Sequence, residues 1–273
     1  DEVLVSHVMS HQAGLSGLEP ATPPNELFDR DLVVERLAAM EPWWEPGTAA
    51  GYHAVTQGYL QGELLRRVTG LTMGEFFRRE VAEPLGADFH IGLPESEHGR
   101  LAELVSPVTD LEVDVEGMDP VAVRTFLSTS GDLVGVTRTA RWRSAEIPAA
   151  GGSGNARSVA RVHSALACGG TVDGVTLMAP ESVDIALQEQ FNGTDLVMNV
   201  PMRYGMGFGL PSEVMPISPN QRAFFWGGWG GSLAIVDLDA RLSVAYAMNN
   251  MAPDLLGDLR GATVALSAYA GLV

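Results

Sequence analysis

The chain contains no lysine: all of its basic residues, 17 in 273 positions, are arginine. A Ser-x-x-Lys helical turn, in which the amine helps to remove the serine hydroxyl proton, therefore cannot exist in it. Cysteine is nearly absent too, and a lone Cys168 excludes an internal disulfide while leaving the redox compartment open. Its surroundings, His163-Ser-Ala-Leu-Ala-Cys168-Gly-Gly, read as a small buried residue near a helix end. No stretch sustains the roughly 20 apolar residues that a membrane-spanning helix requires. Asp1 and Glu2 put acid where the basic region of a signal peptide would stand. Positive charge is scarce overall. The balance of 17 basic to 34 acidic residues gives a net charge of −17, which repels backbone phosphates and excludes nucleic acid as a partner. The excess acid reads as a solvated surface. The compartment is left open, with the cytoplasm favoured.

What is present is 46% hydrophobic residues, ample for a buried core in one large domain or two small ones. Residues 3–11 set Val5, Val8 and Met9 on one side of a short helix stopped by Gly14. Asp31 to Met40 is a second helix, broken by the turn Trp43-Trp-Glu-Pro-Gly-Thr48. From Ala54 to Thr69, Val55, Tyr59, Leu60, Leu64, Leu65 and Val68 recur at helical spacing, with Gly70 as C-cap. Thr72 to Glu83 follows as a helix with Thr72 and Glu75 forming a capping box, and Pro84-Leu-Gly86 ends it. Residues 94–150 yield one helix, about Pro120 to Ser128, and a loop rich in Gly and Thr. Asn155 N-caps a helix to Ala167, Gly169-Gly170 turns the chain, and Pro180 to Gln188 is helical.

After Met202, glycine alternates with larger residues to Leu210, which predicts a strand needing close backbone approach. Ser232 to Val236 and Leu242 to Met248 read as strands joined by a hairpin over Asp237 to Arg241, and Leu255 to Leu272 as a closing helix. Helices first and an antiparallel meander afterwards, with no βαβ rhythm, predict an α+β fold. The expected organisation is a single domain over 1–273, mainly helical over 1–200, with sheet strands and the closing helix over 201–273.

Chemistry concentrates at two places. Pro46 and Gly47 set a turn that projects Tyr52 just ahead of a helix, where a phenol can exchange a proton with a nucleophile or leaving group. On bare chemistry a tyrosine in a turn is more often a surface or packing residue, and His53 beside it is either a second polar contact or a structural neighbour. The other place is Phe225-Trp-Gly-Gly-Trp-Gly-Gly-Ser232, whose glycines equally suit tight strand packing. His7 and His11, spaced i, i+4, could share a metal, but position 8 holds no Glu to complete H-E-x-x-H and no third ligand is evident. No metal or other cofactor is expected. Ser153 and Ser232 both fail the G-x-S-x-G pattern of a nucleophile elbow.

The wording around these places is specific. Leu4-Val-Ser-His-Val-Met-Ser-His-Gln-Ala-Gly-Leu15 resembles the segment that follows the Ser-x-x-Lys helix in β-lactamase-related proteins. Pro46-Gly-Thr48 through Gly70, with Pro84-Leu-Gly86, is similar to that family's tyrosine-motif region and the helix after it. Phe225 to Ser232, with Asp237 and the strand ending Met248-Asn-Asn-Met251, resembles its Lys-Thr-Gly strand region. The variant nearest in flavour is the carboxylesterase branch related to class C β-lactamases.

The resemblance implies a β-lactamase/transpeptidase-like fold, an antiparallel sheet packed by helices plus a helical region, with its N-terminal part missing. It implies a serine hydrolase acting through an acyl-enzyme, with the nucleophile expected ahead of Asp1. Tyr52 is then the general base and acid. Trp226-Gly227-Gly228 occupies the Lys-Thr-Gly position, and the backbone N–H of Trp229 is one oxyanion donor. Ala54 stands where β-lactamases carry the asparagine of Tyr-x-Asn, and Trp226 replaces the lysine that holds a β-lactam carboxylate. Both losses favour a small uncharged ester or amide substrate. The competing readings are a catalytically inactive binding module of the same fold and an acyltransferase. A missing N-terminal part is also expected to expose a sheet edge and an apolar face, and so to lower stability or promote self-association.

Overall fold

Local caps place the helices of this computed structural model, which describes residues 3–107, 117–129 and 131–272. Asp1-Glu2 and part of the 94–150 stretch, residues 108–116 and 130, lie outside the described residues. Helix α1 is Val5–Met9 and α2 is Arg30–Ala39, the latter starting where the Asp29 carboxylate accepts from the Leu32 N–H at 3.1 Å. Helix α3, Thr56–Thr69, stops at Gly70, whose φ of 77° suits glycine. Thr72 and Glu75 form their capping box at the start of α4, Met73–Phe77. The single helix expected to Glu83 is not continuous. Pro84 has no N–H to continue the ladder, and just ahead of it the chain widens into a π-helical segment, Arg78–Ala82, before the short α5, Glu83–Leu85.

Among the described residues of the stretch that the sequence left least defined, a 3-10 turn at Glu95–Arg100 is followed by the short helices α6 (Pro120–Leu127), α7 (Leu133–Val136) and α8 (Ala140–Ser144). Only α6 was expected, because four- and five-residue helices are too short to carry a period. Their caps, Asp132 and Thr139, are present in the sequence and accept from the N–H groups of Gly135 and Trp142. Asn155 caps α9, Ala156–Ala167, through the Ser158 N–H at 3.0 Å. Cys168 ends that helix as expected but is only half-buried. Helix α10 is Pro180–Ala186.

Small strands interrupt the otherwise helical first 200 residues. β1 (Phe89–Ile91) pairs with β2 (Gly152–Gly154), and β3 (Thr171–Val172) with β4 (Val175–Thr176). The main sheet begins with β5 (Phe191–Thr194) against β6 (Pro201–Tyr204) and continues with β7 (Ala223–Gly227), β8 (Leu233–Asp237) and β9 (Leu242–Tyr246), all antiparallel. Gly209 joins the two groups by bridging Tyr204 on one side and Phe225 on the other. The expected hairpin over 237–241 lies between β8 and β9. The closing helix α11, Leu259–Ala270, begins four residues later than expected. Gly257 has a φ of 82°, and the Asp258 carboxylate caps the helix by accepting from Arg260 and Gly261.

Alternation along β7 sends Phe224 and Phe225 to opposite faces. Phe224 joins Val236, Leu166 and Val183 in a core beneath α9 and α10. Phe225 joins Ile235, Val244, Met202, Tyr204 and Ala265 in a core beneath α11. A third core, built from Leu15, Leu27, Val33, Tyr59, Trp142 and Ile147, lies among the first helices. At the sheet's far side, β9 has no strand on its outer edge among the described residues. Leu259 and Leu266 on α11 are 84% and 69% exposed.

Candidate active site

Tyr52 sits in the connection between α2 and α3, where the chain pairs with the segment after α1. Gly47, at φ 86°, lets its N–H reach the Gln12 carbonyl at 3.1 Å, and the Gly51 N–H reaches the His11 carbonyl at 3.0 Å. The first turn of α3 adds side-chain ties to the same segment. The Leu15 N–H donates to His53 Nε2 at 3.1 Å, the Thr56 hydroxyl donates to the Leu15 carbonyl at 2.6 Å, and the Gln57 amide donates to the Val8 carbonyl at 2.7 Å. His53 Nδ1 in turn donates to the Gly51 carbonyl at 2.6 Å. Both ring nitrogens of His53 are thus occupied by main-chain partners. Burial holds its pKa down at about 4, so the ring is neutral and acts as a structural neighbour of Tyr52.

Tyr52 is one of four rings that converge here, with Trp226, His11 and Tyr204. The Trp226 ring lies 5.5 Å from Tyr52, 5.3 Å from His11 in a stacked arrangement, and 6.0 Å from Tyr204. His11 meets Tyr52 edge-on at 5.4 Å. Its backbone is left-handed, with φ 61°, and its Nδ1 accepts from the His53 N–H at 3.2 Å, which leaves the ring proton on Nε2. Burial, reinforced by His53, holds His11 well below the usual imidazole range. Because α1 ends at Met9, His7 and His11 do not share a helix face, and no metal-binding group of His, Cys, Asp and Glu forms among the described residues.

Burial also dominates the Tyr52 phenol and pushes its pKa up to about 12; the Trp226 indole opposes this, and the charge of Asp195 adds to it. The phenol is protonated at neutral pH. Asp195 is fully buried in the turn between β5 and β6. Its Oδ1 accepts from the N–H groups of Tyr52, Val197 and Met198 at 3.1, 2.8 and 2.8 Å, and its Oδ2 accepts from the Tyr204 hydroxyl at 2.7 Å. Burial pushes this carboxyl up while those four donors pull against it.

The second motif turns at the end of β7. The N–H groups of Gly228, Gly230 and Gly231 donate to the carbonyls of Ser232, Asp254 and Gly228. The N–H of Trp229 has no acceptor among the described residues. Arg260 braces the turn from below, donating to the Gly230 carbonyl at 2.9 Å and to the Asn250 carbonyl at 2.8 Å. Close packing is a separate demand here. A Cβ on Gly227 would lie 2.2 Å from the carbonyl carbon of Leu256, whereas one on Gly228 would meet only the Ser232 Cβ, at 3.7 Å.

The structure therefore brings Tyr52, His53 and Trp226 together, with Gly228 and Trp229 in the turn that Trp226 leads into. Sequence reasoning missed Asp195, Tyr204, Thr56 and Gln57, and read His11 only as a metal candidate. Their signal is burial of polar groups in the fold; an aspartate in Gly193-Thr-Asp195 is ordinary loop composition until its four donors are seen.

Helices on both faces of an antiparallel sheet, with Tyr52 set against Trp226 at the end of β7, define a protein of the β-lactamase/transpeptidase-like class. A family model described as Beta-lactamase matches residues 1–268, and the chain belongs to that family. It is 34% identical over 265 residues to the esterase/beta-lactamase LipL of Mycobacterium tuberculosis, covering 92% of this chain and 60% of that protein. Among solved structures, a family VIII carboxylesterase matches with a TM-score of 0.90 and 38% identity, over 98% of this chain and 71% of the other. A penicillin-binding protein homologue from Caulobacter crescentus matches with a TM-score of 0.88 and 41% identity, over 99% of this chain and 71% of the other.

Proposed function

We propose that this chain forms most of a serine hydrolase that cleaves small uncharged esters, or amides, through an acyl-enzyme. The observation that carries the reading is the pairing of the Tyr52 phenol with the turn at Trp226–Trp229, where one main-chain N–H is left without an acceptor among the described residues. The serine and lysine of a Ser-x-x-Lys turn are supplied from a segment N-terminal to Asp1, since lysine occurs nowhere in these 273 residues. The serine oxygen adds to the ester carbonyl, and the Trp229 N–H donates to the resulting oxyanion, a contact typically worth about 3 kcal/mol. Tyr52 passes the serine proton to the departing alcohol; water then releases the acyl group by the same route. A cationic amine set against Tyr52 brings its phenol down toward the working range. Trp226, apolar where a carboxylate-binding lysine would stand, favours uncharged substrates.

The test is hydrolysis of a short-chain chromogenic ester by the gene product that includes the sequence preceding Asp1. Tyr52→Phe is expected to lower kcat by roughly 100-fold or more. An unchanged kcat, or preceding sequence without Ser-x-x-Lys, would sink the reading. The absence of lysine favours a second reading, a binding module that keeps the cleft without turnover. Saturable ester binding with no release of alcohol by the longer gene product would select it. An acyltransferase shares these residues and differs in the acceptor alone.

A further inference from the structure

We propose that Asp195 is the positioning residue of this site: its buried carboxylate fixes the main chain of Tyr52 to the turn between β5 and β6 and, through the Tyr204 hydroxyl, to the sheet. The inference rests on the hydrolase reading for its consequence in turnover and on geometry alone for the anchoring. Asp195 is fully buried, and no arginine pairs with it among the described residues. A carboxylate so placed is retained only where donors replace the water it has lost. The N–H groups of Val197 and Met198 are local donors, which an asparagine or serine would satisfy equally well in such a turn. The remaining two donors come from elsewhere in the fold. The Tyr52 N–H arrives from 143 residues away, and the Tyr204 hydroxyl comes from the next strand.

These two contacts close a circuit. Asp195 holds the Tyr52 main chain and the Tyr204 hydroxyl, and both tyrosine rings touch Trp226. The Leu196 N–H donates to the Ala50 carbonyl at 2.9 Å, so residues 50–52 and 195–196 run side by side. Gly51 allows this approach, since a Cβ there would come within 3.2 Å of the Val197 side chain. The charged and titratable groups facing Tyr52 are Asp195, His11, His53 and Tyr204. Burial holds both imidazoles neutral, so Asp195 carries the charge nearest the phenol.

Asp195→Asn keeps the shape and an acceptor for the main-chain donors while removing the charge and the acceptor for Tyr204. In this chain, labelled at tyrosine Cζ and assigned through Tyr52→Phe, the Tyr52 titration should fall relative to the unsubstituted chain, in which burial pushes the phenol up to about 12. Tyr269, also about 12 but bonded to Asp237, should not move. In the longer gene product, kcat on the chromogenic ester should drop about tenfold or more with KM within about threefold, because misplacement of a reacting group is felt in turnover. A normal kcat, or an unmoved Tyr52 midpoint in the folded variant, overturns the proposal. If Asp195→Asn does not fold, hydrogen exchange in the unsubstituted chain decides. The Tyr52 amide should be protected alongside those of Val197 and Met198, and exchange as fast as in an exposed loop overturns the anchoring. If the longer gene product turns over no ester at all, the hydrolase reading fails, and the titration and exchange results still decide whether Asp195 anchors Tyr52.

Discussion

His53 shows how a single side chain can set the acid limit of this protein. Unfolded, its imidazole titrates near 6.5; folded, burial holds it at about 4, so the unfolded chain binds the extra proton first as pH falls. Its contribution is therefore complete above about pH 6.5 and is lost progressively down to about pH 4, amounting to about 3 kcal/mol by the size of the shift. His11, shifted the same way, steepens the loss. Urea titrations at pH 7.5 and 4.5 should show the midpoint falling sharply at the lower pH, and equal midpoints would contradict the assignment of two neutral buried imidazoles. Tyr52, Trp226 and Trp229 were legible as residues of interest because their neighbours carry recognisable wording. The anchors of Tyr52 were not, because a buried aspartate and a distant tyrosine leave no local pattern.

At the scale of elements, the turn after β7 separates two uses of glycine. Gly227→Ala drives a methyl against main-chain atoms of Leu256 that cannot rotate away, so a loss of about 1–3 kcal/mol is expected, with displacement of the Trp226–Trp229 turn. Gly228→Ala meets an ordinary contact and should stay within about 0.5 kcal/mol of the unsubstituted chain. Thermal denaturation of the two variants distinguishes them, and equal losses would place the demand outside Gly227. Elements with a strong period or a cap were readable in advance: α3, α9 and the hairpin between β8 and β9. The short helices α7 and α8 and the two-residue strands β3 and β4 were not, since none of them is long enough to repeat its pattern twice. The late start of α11 was legible in principle, as Gly257 followed by Asp258 is a stop and a cap in sequence.

For the whole molecule, the open outer edge of β9 and the exposed leucines of α11 predict self-association of the 273-residue chain. Sedimentation velocity across a range of concentrations should show a rising weight-average coefficient. A concentration-independent monomer that melts at the same temperature as the longer gene product would remove that expectation. The charge of −17 opposes association at low salt, so added salt should strengthen it.

The sheet itself is continuous by the width of one residue. Gly209 and Phe225 exchange two hydrogen bonds of 2.9 Å, and a methyl on Gly209 would strike the Phe225 ring at 2.8 Å. On one side of that seam lies the ribbon carrying Asp195, hence Tyr52; on the other lies the strand carrying Trp226. The contact between phenol and indole, 5.5 Å between ring centroids, thus spans a seam that is one residue wide, and any swelling of that joint shifts the two rings against each other.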